Sequence, residues 1–124
     1  MIPYRMPDQT LTRGDVWESV YHIGPMEDEL AQPPAPPCLS CRLQFRDRTT
    51  GALGYELLST VVDGKGLITI VDSVNYEFDI AVQILPLKVG TFDWDFETFE
   101  TADYTLPSRT WLTGTFNIIK DISR

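Results

Sequence analysis

The chain is poor in the residues that most often carry chemistry. It has one histidine and two cysteines in 124 residues, so nucleophile–base pairs and zinc sites have few candidates. Lys and Arg number 10 against 18 Asp and Glu, a net charge of −8. Nucleic-acid binding needs clustered cations to replace counterions, and the few present are scattered, so no nucleic-acid partner is expected. There is no apolar run of about 18 residues, which excludes a membrane-spanning helix. The opening residues Met1 to Asp8 lack the apolar core of a signal peptide, so a cytosolic protein, or one packaged into a particle assembled there, is expected. No amphipathic helix of useful length is present either. What remains is an ordinary 43% of hydrophobic residues, enough for one domain with one core and too much for disorder.

Alternation supplies the structure. Thr91-Phe92-Asp93-Trp94-Asp95-Phe96-Glu97 places its apolar residues on one side and its acids on the other. Successive side chains of a pleated strand point to opposite faces, so the pattern predicts one dry face and one wet face. Trp111 to Ile119 reads as its partner strand, and the chain is expected to close on that strand without a further domain. Earlier, Thr10 to Trp17 reads as a first strand, with Gly14 a bulge or turn. Leu39, Cys41, Leu43 and Phe45 alternate with Ser40, Arg42, Gln44 and Arg46. A turn at Asp47 to Gly51 leads to Leu53, Tyr55 and Leu57. A turn at Asp63 to Gly66 precedes Leu67 to Val71, and Tyr76, Phe78, Ile80, Val82 and Ile84 alternate as one strand ended by Pro86. Roughly seven to eight short strands with turns every 8 to 12 residues predict an all-β fold, a single antiparallel sandwich of immunoglobulin-like type.

Two segments fall outside the alternation. Residues 1–8, with Pro3 and Pro7, read as an extended N-terminal arm preceding a sandwich domain over 9–124. Residues 24–37 form a long proline-rich loop in which Met26 to Ala31 fits one helical turn and Pro33, Pro34, Pro36 and Pro37 favour an extended segment.

Each chemical constellation has a plainer reading beside it. Cys38 and Cys41 have C-x-x-C spacing, but a strand follows and only His22 is left as a further zinc ligand, so a structural role is expected and a disulfide is geometrically awkward. His22 lacks a recognisable nucleophile setting and is expected at a solvated strand end. Asp93, Asp95 and Glu97, with Glu77 and Asp79 as candidate neighbours, fit a glycosidase pair or a calcium site less well than a solvated face. Like charges so close call for a basic neighbour, with Arg42, Arg46 or Lys120 as candidates. Trp17, Trp94 and Trp111 are either core anchors or a ligand cage. No catalytic, cofactor-binding or metal-ligating residue is assigned.

Several segments in order resemble one family. They are Thr12-Arg13-Gly14-Asp15-Val16-Trp17, Cys41-Arg42-Leu43-Gln44-Phe45-Arg46-Asp47, Gly66-Leu67-Ile68-Thr69-Ile70, Gly90-Thr91-Phe92-Asp93-Trp94-Asp95-Phe96-Glu97, and Leu112-Thr113-Gly114-Thr115-Phe116-Asn117-Ile118 with Ser123-Arg124. This set resembles small tail- or head-associated proteins of tailed bacteriophages, in particular the N-terminal Ig-like domain of phage baseplate upper proteins. The departures are the 24–37 insertion and Ser123 where the family has threonine. The resemblance implies a non-enzymatic, multi-copy or homo-oligomeric virion component without cofactors, located in the particle. It would be a capsid decoration or cement protein, or a tail or baseplate subunit, touching the major capsid protein or tail and baseplate proteins. On that reading the interface candidates are Tyr4, Arg5, Pro33, Pro34, Pro36, Pro37, Asp93, Asp95 and Glu97. The rivals are a carbohydrate-binding or glycan-hydrolysing module built on the acidic strand and the tryptophans, and a small cytoplasmic adaptor.

Overall fold

The computed structural model describes residues 3–18, 22–26, 36–59, 67–105 and 107–120. Over these residues the chain is all-β, with eleven strands in three sheets. In chain order they are β1 (Tyr4–Arg5), β2 (Gln9–Thr12), β3 (Val16–Trp17), β4 (His22–Ile23), β5 (Ser40–Asp47), β6 (Leu53–Leu58), β7 (Ile68–Asp72), β8 (Glu77–Ile80), β9 (Gln83–Ile84), β10 (Gly90–Phe99) and β11 (Ser108–Ile119). The large sheet runs β1-β11-β10-β5-β6, with β2 also on β11; the small ones are β3-β9 and β4-β8-β7. Of the helical turn predicted within Met26 to Ala31 only Met26 is among the described residues, and the turn at Asp63 to Gly66 lies outside them.

The long antiparallel hairpin β10–β11 and its neighbour β5 form the body of the large sheet. Register fixes the inner face: Trp94 lies opposite Phe45 and Gly114, and Phe96 opposite Leu43 and Leu112. Phe92, Trp94 and Phe96 are all buried, as the alternation requires. A register shift after Phe96 lets Trp111 turn inward as well as Leu112, and the Trp111 indole donates to Thr98 Oγ1 at 2.8 Å. A bulge inserts one residue on one strand and re-aims its neighbours in this way.

Both small sheets pack on the inner face of the large one. Trp17 of β3 meets Phe45 and Phe116 edge-on with ring centroids 5.7 and 5.9 Å away, and those two rings meet each other at 5.7 Å. Phe78 of β8 meets Phe96 at 5.0 Å. Edge-to-face pairs of this kind each add about 0.5–1.5 kcal/mol beyond the area they bury. The core therefore joins all three sheets around aromatic side chains.

Four details differ from the sequence pattern. The strand predicted over Thr10 to Trp17 is two strands in different sheets, because Gly14 takes φ +91° and turns the chain; that left-handed region is open to glycine at little cost. The alternation from Tyr76 to Ile84 is likewise two strands: the chain leaves β8 at Ile80 and pairs with β3 only from Gln83, leaving Val82 and Ile84 more than half exposed. At the start of β5 Leu39 is exposed and Ser40 buried, since Ser40 Oγ donates to the Thr101 carbonyl and the chain around 101 covers it. Finally, the arm segment is extended, but its hydrogen bonds go to its own chain. Tyr4 and Arg5 pair in parallel with Leu112 and Thr113, and the Met6 amide donates to the Thr113 carbonyl. The edge of β11 presents backbone groups that need partners, and β1 and β2 supply them.

Candidate functional site

The outer face of the large sheet carries the residues singled out in sequence. Asp93, Asp95 and Glu97 project from β10 between β5 on one side and β11 on the other. Cross-strand neighbours sit close enough for direct pairing, and the sheet uses this for charge. Glu97 lies opposite Arg42, whose Nη2 donates to Glu97 Oε1 at 2.8 Å, while Ser108 Oγ donates to Oε2 at 2.7 Å. Arg42 was among the basic neighbours expected, and its guanidinium also lies 5.1 Å over the Phe99 ring. Asp93 is held by Arg48, which no strand pattern points to because it sits in the turn after β5. Its Nη2 donates to Asp93 Oδ1 at 2.6 Å and to Thr115 Oγ1 at 2.7 Å. Arg5 Nη2 reaches the same threonine hydroxyl at 3.0 Å and Asp8 at 3.2 Å. The Arg48 hydrogen bond holds the Asp93 carboxyl below its ordinary value.

Asp95 differs from both neighbours. Its Oδ1 is buried and accepts no hydrogen bond among the described residues. Burial pushes its pKa up and the nearby Glu97 adds to this, with Arg42 and Arg46 opposing. Around it, Gln44 Nε2 donates to Glu56 at 3.1 Å, and Arg46 reaches Gln44 at 3.4 Å. The result is a broad polar face of paired charges with one buried carboxylate oxygen at its centre that accepts no hydrogen bond among the described residues. Glu77 and Asp79 are not part of it: they belong to β8, where His22 Nδ1 lies 2.7 Å from Asp79 and its Nε2 4.0 Å from Glu77. His22 is thus a surface ion-pair partner, and its pKa is raised chiefly by the Asp79 hydrogen bond.

The other candidates are structural in placement. Cys38 and Cys41 are buried free thiols, and burial lifts their pKa values to about 11 and about 12. Thiolates are the nucleophilic and ligating form, so neither is activated near neutral pH. Trp17, Trp94 and Trp111 are 3%, 4% and 6% exposed, so their rings lie in the core and form no surface cage. No group of three or more His, Cys, Asp or Glu able to hold a metal ion occurs among the described residues. No helix there is long and apolar enough to cross a membrane.

Of the interface candidates, Tyr4 and Arg5 lie on β1; Arg5 is joined to Asp93 through Thr115 and Arg48, while Tyr4 is exposed and outside that network. Pro36 and Pro37 are exposed at the far side of the core, where the Tyr76 hydroxyl donates to the Pro36 carbonyl. Pro33 and Pro34 lie outside the described residues. The sequence reading missed Arg48 and Thr115, since neither stands in an alternating acid–base pattern. No protein-family model matches the chain, and no curated protein or solved structure is found to match it.

Proposed function

We propose that the protein is a non-enzymatic structural component of a tailed-phage virion, either a capsid decoration or cement protein or a tail- or baseplate-associated subunit. The body would be an Ig-like sandwich whose second layer is broken into the β3-β9 and β4-β8-β7 sheets. The observation that carries the reading is the outer face of the large sheet. Arg5, Arg48, Asp93, Arg42 and Glu97 are fixed there in register by ion pairs and shared hydroxyls, on a broad sheet surface that suits a protein partner more than a small substrate. Prearranged charges of both signs give orientation and selectivity at an interface. The resemblance of the ordered segments to baseplate upper proteins and head- or tail-associated proteins supports the same reading.

A glycan module is the weaker reading, because the three tryptophans that could stack on sugar rings all lie in the core. Mass spectrometry of purified particles tests the proposal. It expects the protein at a copy number tied to the symmetry of the shell or of the tail. Particles that contain none of it overturn the proposal. Replacing Arg48 and Glu97 together, by Glu and Lys, is expected to lower occupancy on the particle while the domain stays folded. Unchanged occupancy removes the outer face as the contact.

A further inference from the structure

Most charges of the outer-face network are matched within the chain. Arg42 holds Glu97, Arg48 holds Asp93 and Arg5 reaches Asp8. Two charges of opposite sign are left over. The Asp95 carboxylate is half-buried and forms no ion pair or hydrogen bond among the described residues, with Oδ1 sealed from solvent. Arg46 is exposed and reaches no carboxylate: its Nη1 donates to the Gly51 carbonyl at 3.2 Å and its Nη2 to Gln44 at 3.4 Å.

These two stand on neighbouring strands, one step out of register. Arg46 lies opposite Asp93 and Asp95 opposite Gln44, which makes them diagonal neighbours roughly 7–8 Å apart. Arg46 bonds toward the β5–β6 turn, on the side of β5 away from β10, so the pair does not close within one chain. It can close between two chains. A two-fold axis crossing the face between them lays Arg46 of each copy over Asp95 of the other and forms both contacts at once. The charge of the face points to the same occupant. Four guanidiniums, those of Arg5, Arg42, Arg46 and Arg48, stand there against five carboxylates, Asp8 and Glu56 included, so the face carries one of the chain's eight net negative charges. The rest of the surface is strongly acidic, and two copies repel each other there. A strongly basic or strongly acidic partner would meet like charges on this face in nearly equal number to opposite ones, whereas a second copy brings the same balance of signs.

We infer that the outer face of the large sheet docks a second copy of this chain across a two-fold axis, Arg46 of each copy supplying the donor that Asp95 of the other lacks. The inference rests on the reading of the outer face as a contact surface and names one occupant for it. Asp95 is then a residue that costs the single chain stability and gains its partner only on association.

The test is sedimentation velocity of the full chain at about 0.15 M salt, where a Debye length of about 8 Å screens the net charges of two copies more than it screens groups in contact. A reversible dimer is expected. Arg46→Glu sets two carboxylates together at each contact and Asp95→Arg two guanidiniums, so each variant alone is expected to be monomeric. Mixed one to one, the two variants are expected to form a heterodimer, because each contact then joins opposite charges. A contact elsewhere on the surface gives no such rescue. Arg46→Gln and Asp95→Asn are each expected to weaken the dimer severalfold with an unchanged circular dichroism spectrum, which keeps the proposal exposed if a charge reversal unfolds the chain. The proposal is overturned if the native chain stays monomeric up to about 1 mM, if either reversal or both conservative variants dimerise like it, or if the mixture of folded reversals stays monomeric. A monomeric native chain, together with lowered particle occupancy for the Arg48 and Glu97 replacement, gives the face to another virion protein: this inference falls and the proposed function stands. A dimer that passes these tests beside particles that contain none of the protein does the reverse.

Discussion

At the residue scale, one close contact and two charges give measurable consequences. Gly114 lies opposite Trp94, and a Cβ built on it would stand 2.5 Å from the indole Nε1 and under 3.0 Å from two ring carbons. Trp94 is buried and cannot swing aside, so Gly114→Ala is expected to destabilise the fold by about 1–3 kcal/mol, measured by urea unfolding. His22 has its pKa raised above 6.5 by Asp79, with Glu77 and the backbone at Gly24 adding to it. A group whose pKa is raised on folding stabilises the fold fully below the unfolded value, and that contribution is lost as pH climbs past the folded one. NMR titration is expected to place the His22 midpoint above 6.5 and to return it toward that value in Asp79→Asn. Asp95 runs the other way from an ordinary salt-bridged acid. Its pKa is raised above 3.8 by burial, so the ionised form opposes folding and stability falls as pH rises through that window. Asp95→Asn is expected to stabilise the protein at pH 7 by on the order of a few tenths of a kcal/mol after solvent screening. The gain should vanish below about pH 3.

At the element scale, the segment holding β1 and β2 decides whether the β11 edge of the large sheet is covered or open. It contributes few buried side chains: Met6 and Leu11 pack against the core, while Tyr4 is 64% exposed. Its role is to satisfy the edge of β11. Removing residues 1–8 is expected to leave a folded domain less stable by about 2 kcal/mol. It is also expected to increase self-association through the uncovered edge, which sedimentation velocity would detect. A truncated chain with unchanged association and stability would show that β1 satisfies nothing β11 needs. Legibility at this scale was uneven. β5, β10 and β11 were readable because long strands with one buried face print their parity directly onto the sequence. β1 was not, since a two-residue strand flanked by prolines has no periodicity. The outer-face site was half legible: alternation placed the three acids and pointed to Arg42. Arg48 enters from a turn and Thr115 from across β11, positions that only register can bring to Asp93.

For the molecule as a whole, contacts are dominated by pairing between distant segments: β1 and β2 lie beside β11, and β5 beside β10. Topologies of this kind close long loops before they gain contacts, so folding is expected in milliseconds to seconds, measurable by stopped-flow tryptophan fluorescence. Microsecond folding would contradict the pairing described. The composition alone determined that the chain is acidic and apolar enough to bury a core, because charge and apolar content are sums over residues and need no geometry. Alternation alone determined that the fold is all-β and that Phe92, Trp94 and Phe96 face inward, because the pleat has period two. Where a strand changes partner is another matter. Tyr76 to Ile84 keeps one period while the chain passes from one sheet to another, and periodicity carries no record of which neighbour a strand pairs with. Tertiary structure alone settled that, and with it the strap on β11 and the ion pairs of the outer face. Each of these depends on which distant segments are brought within hydrogen-bond reach, and local sequence does not encode that distance.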